Sequence, residues 1–321
     1  MKISASKVKC YKSCKRAYYF RYVEELVPVE TAQPLVDGSN YHAMLEQLYK
    51  EGWYQTDIEN NPKIAAMAAA YEKYIYPQFK VQAAEETFEY KLNNNFDLVG
   101  RFDGIAEDGL VVEHKTTSAD VDDEYVYNLQ WDEQILTYML VSGKNEMYYT
   151  VCKKPTIRQK QNETAEEYYE RCCAWYAEDT DKKIRVIKVT RNEKEISDQK
   201  KQLLHMANEM TLDEENYKFM QDYYDKDDCE VIFYRNQSHC TCYGRKCEYA
   251  SICLDYDPKF EYVEFKKKKE GGFMITNGKE WFEWFLSAIE AIKNGVADKL
   301  EKGNITIYKC GKIVRIDIKE E

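Results

Sequence analysis

The segment GRFDGIAEDGLVVEHKTT, Gly100 to Thr117, constrains this chain more than any other. Its apolar run Leu110-Val111-Val112, set between Gly109 and the polar Glu113-His114-Lys115, reads as a buried strand. Residues two apart on a strand share a face, so Glu113 and Lys115 point the same way. The turn Glu107-Asp108-Gly109 folds the preceding segment back as a hairpin and brings Asp103 alongside. Two carboxylates and a lysine on adjoining strands meet the needs of metal-assisted phosphodiester cleavage. The carboxylates hold one or two hard divalent cations, Mg²⁺ or Mn²⁺, and the lysine steadies a hydroxide or the pentavalent charge.

Composition narrows the setting. A chain of 321 residues is long enough for one large domain or two modest ones. The net charge of −11 argues against broad, nonspecific coating of nucleic acid. A local basic groove remains compatible with it, and cations do cluster at Lys7, Lys9, Lys12, Lys15, Arg16 and Arg21, and again at Lys153 to Lys160. No stretch approaches the length of a membrane span, and the start MKISASKVKC lacks the apolar core of a signal peptide. The expectation is an intracellular, cytoplasmic protein without a membrane partner. Eleven cysteines in a reducing compartment are thiols or metal ligands sooner than disulfides.

Periodicity predicts helices over residues 4–24, 38–54 and 62–80, then strands over 86–92, 96–105 and 110–116. A helix over 123–142, a strand over 147–152, a helix opened by the capping box Thr164-x-x-Glu167, a strand over 184–190 and a helix over 193–209 follow. The expected class is α/β, a mixed central sheet flanked by helices, occupying residues 1–257. Residues 258–272, with Lys266-Lys-Lys-Lys-Glu-Gly-Gly272, read as a linker. Residues 273–321 read as an extension. Trp281, Trp284, Phe285, Ile289 and Ile292 fall at helical spacing there, and Ile305 to Ile318 alternate as a hairpin about Cys310-Gly311.

Three further patterns carry chemistry. Gly38-Ser39-Asn40-Tyr41-His42 sets a histidine at a helix start upstream of the carboxylates. Gln134 and Tyr138 lie four apart on the helix after Lys115, one above the other, with Gln130 a competing glutamine. Cys14 stands before a basic-aromatic run, and Cys242, Cys247 and Cys253 cluster far downstream, with Cys240 a rival to Cys242. The order Asp103, Glu113-x-Lys115 resembles the PD-(D/E)XK nuclease superfamily. The G-x-x-x-H, Q-x-x-x-Y and cysteine patterns resemble its RecB-like branch, the AddB-type iron–sulfur exonucleases, including forms found in phages and mobile elements.

That resemblance implies a restriction-endonuclease-like core and a metal-dependent DNA exonuclease used in recombination or end processing. Asp103, Glu113, His42 and the carbonyl of His114 would hold Mg²⁺ or Mn²⁺, and Lys115 would position the attacking water. Gln134 and Tyr138 would hold the DNA strand, and Glu89 offers a further carboxylate. Cys14, Cys242, Cys247 and Cys253 would hold a [4Fe–4S] cluster, four-thiolate Zn²⁺ being the alternative. The family spacing before Cys247 is shorter, so the identity of one ligand stays open. Lys12, Lys15, Arg16 and Arg21 would contact the DNA backbone. The chain shows no G-x-x-x-x-G-K-[ST] loop, so a helicase, annealing or single-strand-binding protein would be a separate partner. The competing expectation is a non-catalytic DNA-binding or assembly module that keeps the fold and the cluster.

Overall fold

Strand-forming residues crowd between Val81 and Thr117, and they build the centre of the molecule. A computed structural model of the chain describes residues 1–241, 246–254, 265–267, 273–274, 299–302, 305–310 and 313–318. In chain order its elements begin with β1 (Lys2–Ile3), α1 (Ala5–Ser13), α2 (Lys15–Tyr18), β2 (Leu26–Pro28), α3 (Gln33–Glu51) and α4 (Pro62–Tyr74). The central elements are β3 (Val81–Lys91), β4 (Asp97–Ala106), β5 (Val111–Thr117), α5 (Asp123–Asn128), α6 (Glu133–Ser142) and β6 (Glu146–Lys153). Then come α7 (Ala165–Ala177), β7 (Ile184–Thr190), α8 (Glu193–Met220), α9 (Lys226–Cys229) and α10 (Ala250–Cys253). The described strands β8 (Phe265–Lys267), β9 (Phe273–Met274), β10 (Lys299–Lys302), β11 (Ile305–Cys310) and β12 (Ile313–Ile318) complete the series. The chain divides into two units, one of Met1–Val8 with Ala32–Thr211, the other of Lys9–Thr31 with Leu212–Glu321.

The first unit is a mixed sheet with helices on both faces. β3 pairs antiparallel with β4, β4 with β5, and β6 with β7, while β5 runs parallel to β6 and β1 parallel to the start of β4. The period of two along a strand divides β6 between two cores. Cys152 joins Tyr41, Leu45, Met67, Tyr71, Cys172 and Tyr176, contributed by α3, α4 and α7. Met147, Tyr149 and Val151 join Phe102, Val111, Ile135, Tyr138 and Met139 beneath α6. The alanines of α4 let it lie close to α7.

Two glycines keep β3 tight on β4. A Cβ on Gly100 would stand 2.5 Å from the Phe88 ring, and one on Gly104 would stand 2.8 Å from a Val81 methyl. The hairpin turn forms where expected. Gly109 takes the left-handed φ of 79°, its N–H donates to the Ala106 carbonyl at 2.9 Å, and Asp108 accepts from Leu110 N–H at 3.1 Å.

The second unit joins segments distant in sequence. Tyr18, Tyr19, Tyr217 and Phe233 are buried together; Tyr19 stacks on Phe233 at 5.2 Å, and its hydroxyl meets that of Tyr217 at 2.9 Å. Two small sheets, β2–β8–β9 and β10–β11–β12, belong to this unit.

Several expected boundaries move. The helix over 4–24 breaks at Cys14, whose backbone is extended (φ −162°, ψ 114°), and resumes as α2 followed by a wider turn over Tyr19–Val23. The helix over 123–142 breaks at Asp132, whose carboxylate accepts the Gln134 N–H and restarts the chain as α6. The helix carrying His42 begins at Gln33, earlier than the glycine of its motif, because Pro34 suits a first turn. Inside the segment read as a linker, Phe265–Lys267 pairs with Leu26–Pro28, and Phe265 is buried against Tyr249. β11 and β12 pair about residues 310–313, and β10 adds a third strand that the alternation did not announce. The helix expected through Trp281 to Ile292, and Cys242, lie outside the described residues.

Candidate active site

Register places the acidic groups. Asp103 sits on β4 and Glu113 on β5, joined by the hairpin, and α3 lays His42 beside them. His42 Nδ1 is 3.4 Å from Asp103 Oδ1. Asp103 Oδ2 accepts the backbone N–H of His114 at 2.7 Å. The His114 ring turns away into the core, stacked on Tyr49 and edge-on to Tyr71, where burial pushes its pKa down to about 4. The backbone, not the imidazole, is therefore what His114 offers the site.

Glu113 is 3% exposed, and its Oε2 has no hydrogen-bond partner. Burial raises its carboxyl above the usual range, the Asp103 charge adds to this, and Lys115 offsets only part. Burial also works against Asp103, but His42 and the His114 N–H hold it well below the ordinary carboxylate range. A buried carboxylate oxygen without a donor costs on the order of 1–3 kcal/mol or more, a deficit that a divalent cation removes. The donor set of two carboxylates and an imidazole therefore fits Mg²⁺ or Mn²⁺.

Lys115 is held from two sides. Its Nζ contacts Glu113 Oε1 and donates to Gln134 Oε1 at 2.9 Å. Gln134 Nε2 donates to the Tyr138 hydroxyl at 2.8 Å, and that hydroxyl donates to the Arg101 carbonyl at 2.9 Å. The pair four apart on α6 thus ties the helix to β4 and orients the lysine. It is Gln134, not Gln130, that reaches Lys115.

Sequence reasoning passed over Glu85. Among the described residues, His42, Glu85 and Asp103 form the one trio of ligand-type side chains whose atoms lie within 4.8 Å of one another. Glu89, weighed from the sequence, is instead half-exposed and paired with Lys2 at 2.9 Å.

In the second unit Cys14, Cys240, Cys247 and Cys253 line one pocket, walled by Phe20 and Tyr249. The Asn236 N–H donates to Cys14 Sγ at 3.4 Å. Burial, with the neighbouring Cys14 and Cys240, pushes the Cys247 thiol up to about 11. The basic residues expected to meet DNA belong to this unit. Lys15 pairs with Asp213 at 2.7 Å, Arg16 with Glu230, and Arg21 with Glu248 at 2.8 Å, while Lys12 stands in the last turn of α1.

The sequence pattern of the PD-(D/E)XK nuclease superfamily matches residues 2–254. No curated protein matches the chain. Solved structures similar to it include an alkaline exonuclease, LHK-Exo, from Laribacter hongkongensis. It is 14% identical, with a TM-score of 0.35, over 69% of this chain and 93% of that one. A phage-related exonuclease from Haemophilus somnus 129PT is 13% identical, with a TM-score of 0.31, over 52% of this chain and 77% of that one. No helix among the described residues is long and apolar enough to cross a membrane.

Proposed function

Because the chain belongs to the PD-(D/E)XK nuclease superfamily, we propose that it is a metal-dependent DNA exonuclease serving recombination or end processing. The observation that carries this reading is the unpaired, buried Oε2 of Glu113 beside Asp103, with Lys115 fixed next to both. Asp103, Glu113 and His42 would hold Mg²⁺ or Mn²⁺. When bound, the ion supplies Lewis-acid polarisation of the scissile phosphate and a more acidic water. Lys115 orients the attacking water and offsets charge that develops on the phosphoryl oxygens. Gln134 and Tyr138 keep the ammonium in place, so that little reorganisation accompanies the step.

The same reading gives the cysteine pocket a [4Fe–4S] cluster. Tetrahedral Zn²⁺ on four thiolates is the alternative occupant. The pocket that Cys14, Cys240, Cys247 and Cys253 line supports a four-thiolate group, and Cys242 lies outside the described residues. The N–H directed at Cys14 Sγ is the kind of donor that stabilises cluster thiolates.

The test compares end-labelled linear DNA with covalently closed circles, each with Mn²⁺ or excess chelator. Linear DNA is expected to be degraded progressively while circles persist. Circles cut as fast as linear DNA would make the protein an endonuclease, and cleavage unaffected by chelator would overturn the metal assignment.

A further inference from the structure

We propose that Tyr127 and Trp131 form a stacking platform for bases, so that the DNA strand reaching Lys115 passes over α5 unpaired. The proposal rests on the nuclease reading above and adds to it the substrate class, a strand whose bases are free to stack. α5 runs on after Asn128 as a tighter helical turn over Leu129–Trp131, and the chain becomes extended only at Asp132. The inner side of this segment belongs to the core beneath α6: Leu129 is buried there, and Tyr125 and Val126 pack against it. The outer side carries Tyr127 and Trp131, four apart and 64% and 71% exposed. One exposed aromatic ring is ordinary on a protein surface. Two on neighbouring turns of one held segment offer adjoining flat faces, on which successive bases of an unpaired strand can stack.

The segment is fixed, and it borders the acidic site. Asp122 caps its start by accepting the Tyr125 N–H at 2.9 Å, and the Arg191 guanidinium donates to the Leu129 carbonyl at 2.8 Å. Asp132, the residue after Trp131, accepts the Gln134 N–H at 2.9 Å, and Gln134 Oε1 accepts from Lys115 Nζ at 2.9 Å. Asp132 and Tyr125 both lie within electrostatic reach of Lys115. A platform held in this way needs little ordering when a strand binds. Charge decides which part of the strand it meets. Asp122, Asp123, Glu124, Asp132 and Glu133 flank the two rings along the chain and disfavour a phosphate backbone, whereas a ring face stacks on any base. In a duplex the base faces are already stacked on one another, so the end must open before it reaches the platform.

The experiment measures binding of fluorescein-labelled probes to the full chain by anisotropy, in excess chelator so that cleavage does not intervene. The probes are an oligo-dT strand, an abasic strand of the same length and a blunt duplex of that length. Wild type is expected to hold the oligo-dT most tightly. Trp131→Ala and Tyr127→Ala should each weaken it by about tenfold, and Trp131→Phe by less, with the abasic strand little affected. The slope of affinity against salt should keep its wild-type value, because no phosphate contact is lost. Both side chains are exposed, so melting should not change and a loss of binding is not a loss of fold. Oligo-dT bound equally by wild type and by the variant lacking both rings overturns the proposal. So does an equal loss on the abasic strand, or a wild type that prefers the blunt duplex. If wild type cleaves linear DNA with Mn²⁺ in any of those cases, the nuclease reading stands; a wild type that binds no probe and cuts no linear DNA overturns both.

Discussion

Lys115 depends on what surrounds it. Lys115→Ala and Glu113→Ala should each lower the cleavage rate on the order of 100-fold or more with the fold retained, checked by single-turnover assays beside circular dichroism. Gln134→Ala leaves the ammonium without its second anchor. We expect it to lower kcat by roughly tenfold with KM little changed, the signature of a positioning residue. Tyr138→Phe deletes the hydroxyl bonded to Arg101 and should cost about 1 kcal/mol of stability in urea unfolding. Glu113 adds a pH dependence. Its folded pKa is raised by burial, so its contribution to stability is full below its unfolded pKa, about 4.3, and is lost as pH rises through the folded value. Melting in chelator from pH 5 to pH 9 should therefore fall in wild type more than in Glu113→Gln. Equal slopes would show that Glu113 does not govern this window.

The β3–β4–β5 meander is the element on which the site stands, and its two tight glycines are its most sensitive points. Gly100→Ala drives a methyl into the Phe88 ring and should destabilise by about 1–3 kcal/mol, read from the denaturation midpoint. The meander was also the most legible part of the chain. Val111 and Val112 with Gly109 announce a strand after a turn, and the period of two then puts Glu113 and Lys115 together. Glu85 was not legible, because a left-handed residue inside a strand has no local signature when it is not glycine. The breaks at Cys14 and Asp132 were hidden for a different reason. Helical periodicity runs through both; at Asp132 the restart is a cap, its carboxylate accepting the Gln134 N–H, and at Cys14 the extended residue receives the Asn236 N–H on its Sγ. Cys242 and its rival Cys240 both stand at plausible sequence distances from Cys247, and Cys242 lies outside the described residues.

At the scale of the whole molecule, the second unit is made from both ends of the described chain, and its cysteine pocket inherits that construction. Anaerobically purified protein should be brown and contain iron. Cys247→Ser and Cys240→Ser should bleach it and expose this unit to limited proteolysis, because metal binding contributes directly to folding. Full colour in Cys240→Ser and none in Cys242→Ser would reassign the fourth ligand. Charge reversal at Lys15 or Arg16 should lower thermal stability, since each breaks a half-buried pair with Asp213 or Glu230. The divided unit also has a history during synthesis. Tyr18, Tyr19 and Phe20 are made early, but their partners Tyr217, Phe233 and Tyr249 come only after the entire first unit. At about 5–20 residues per second, the nascent chain carries that aromatic segment unburied for on the order of ten seconds or more. Such a stretch is a natural client for a holding chaperone. Cys14 is made with it, long before Cys240, Cys247 and Cys253, so the pocket that these four line takes shape only late in synthesis.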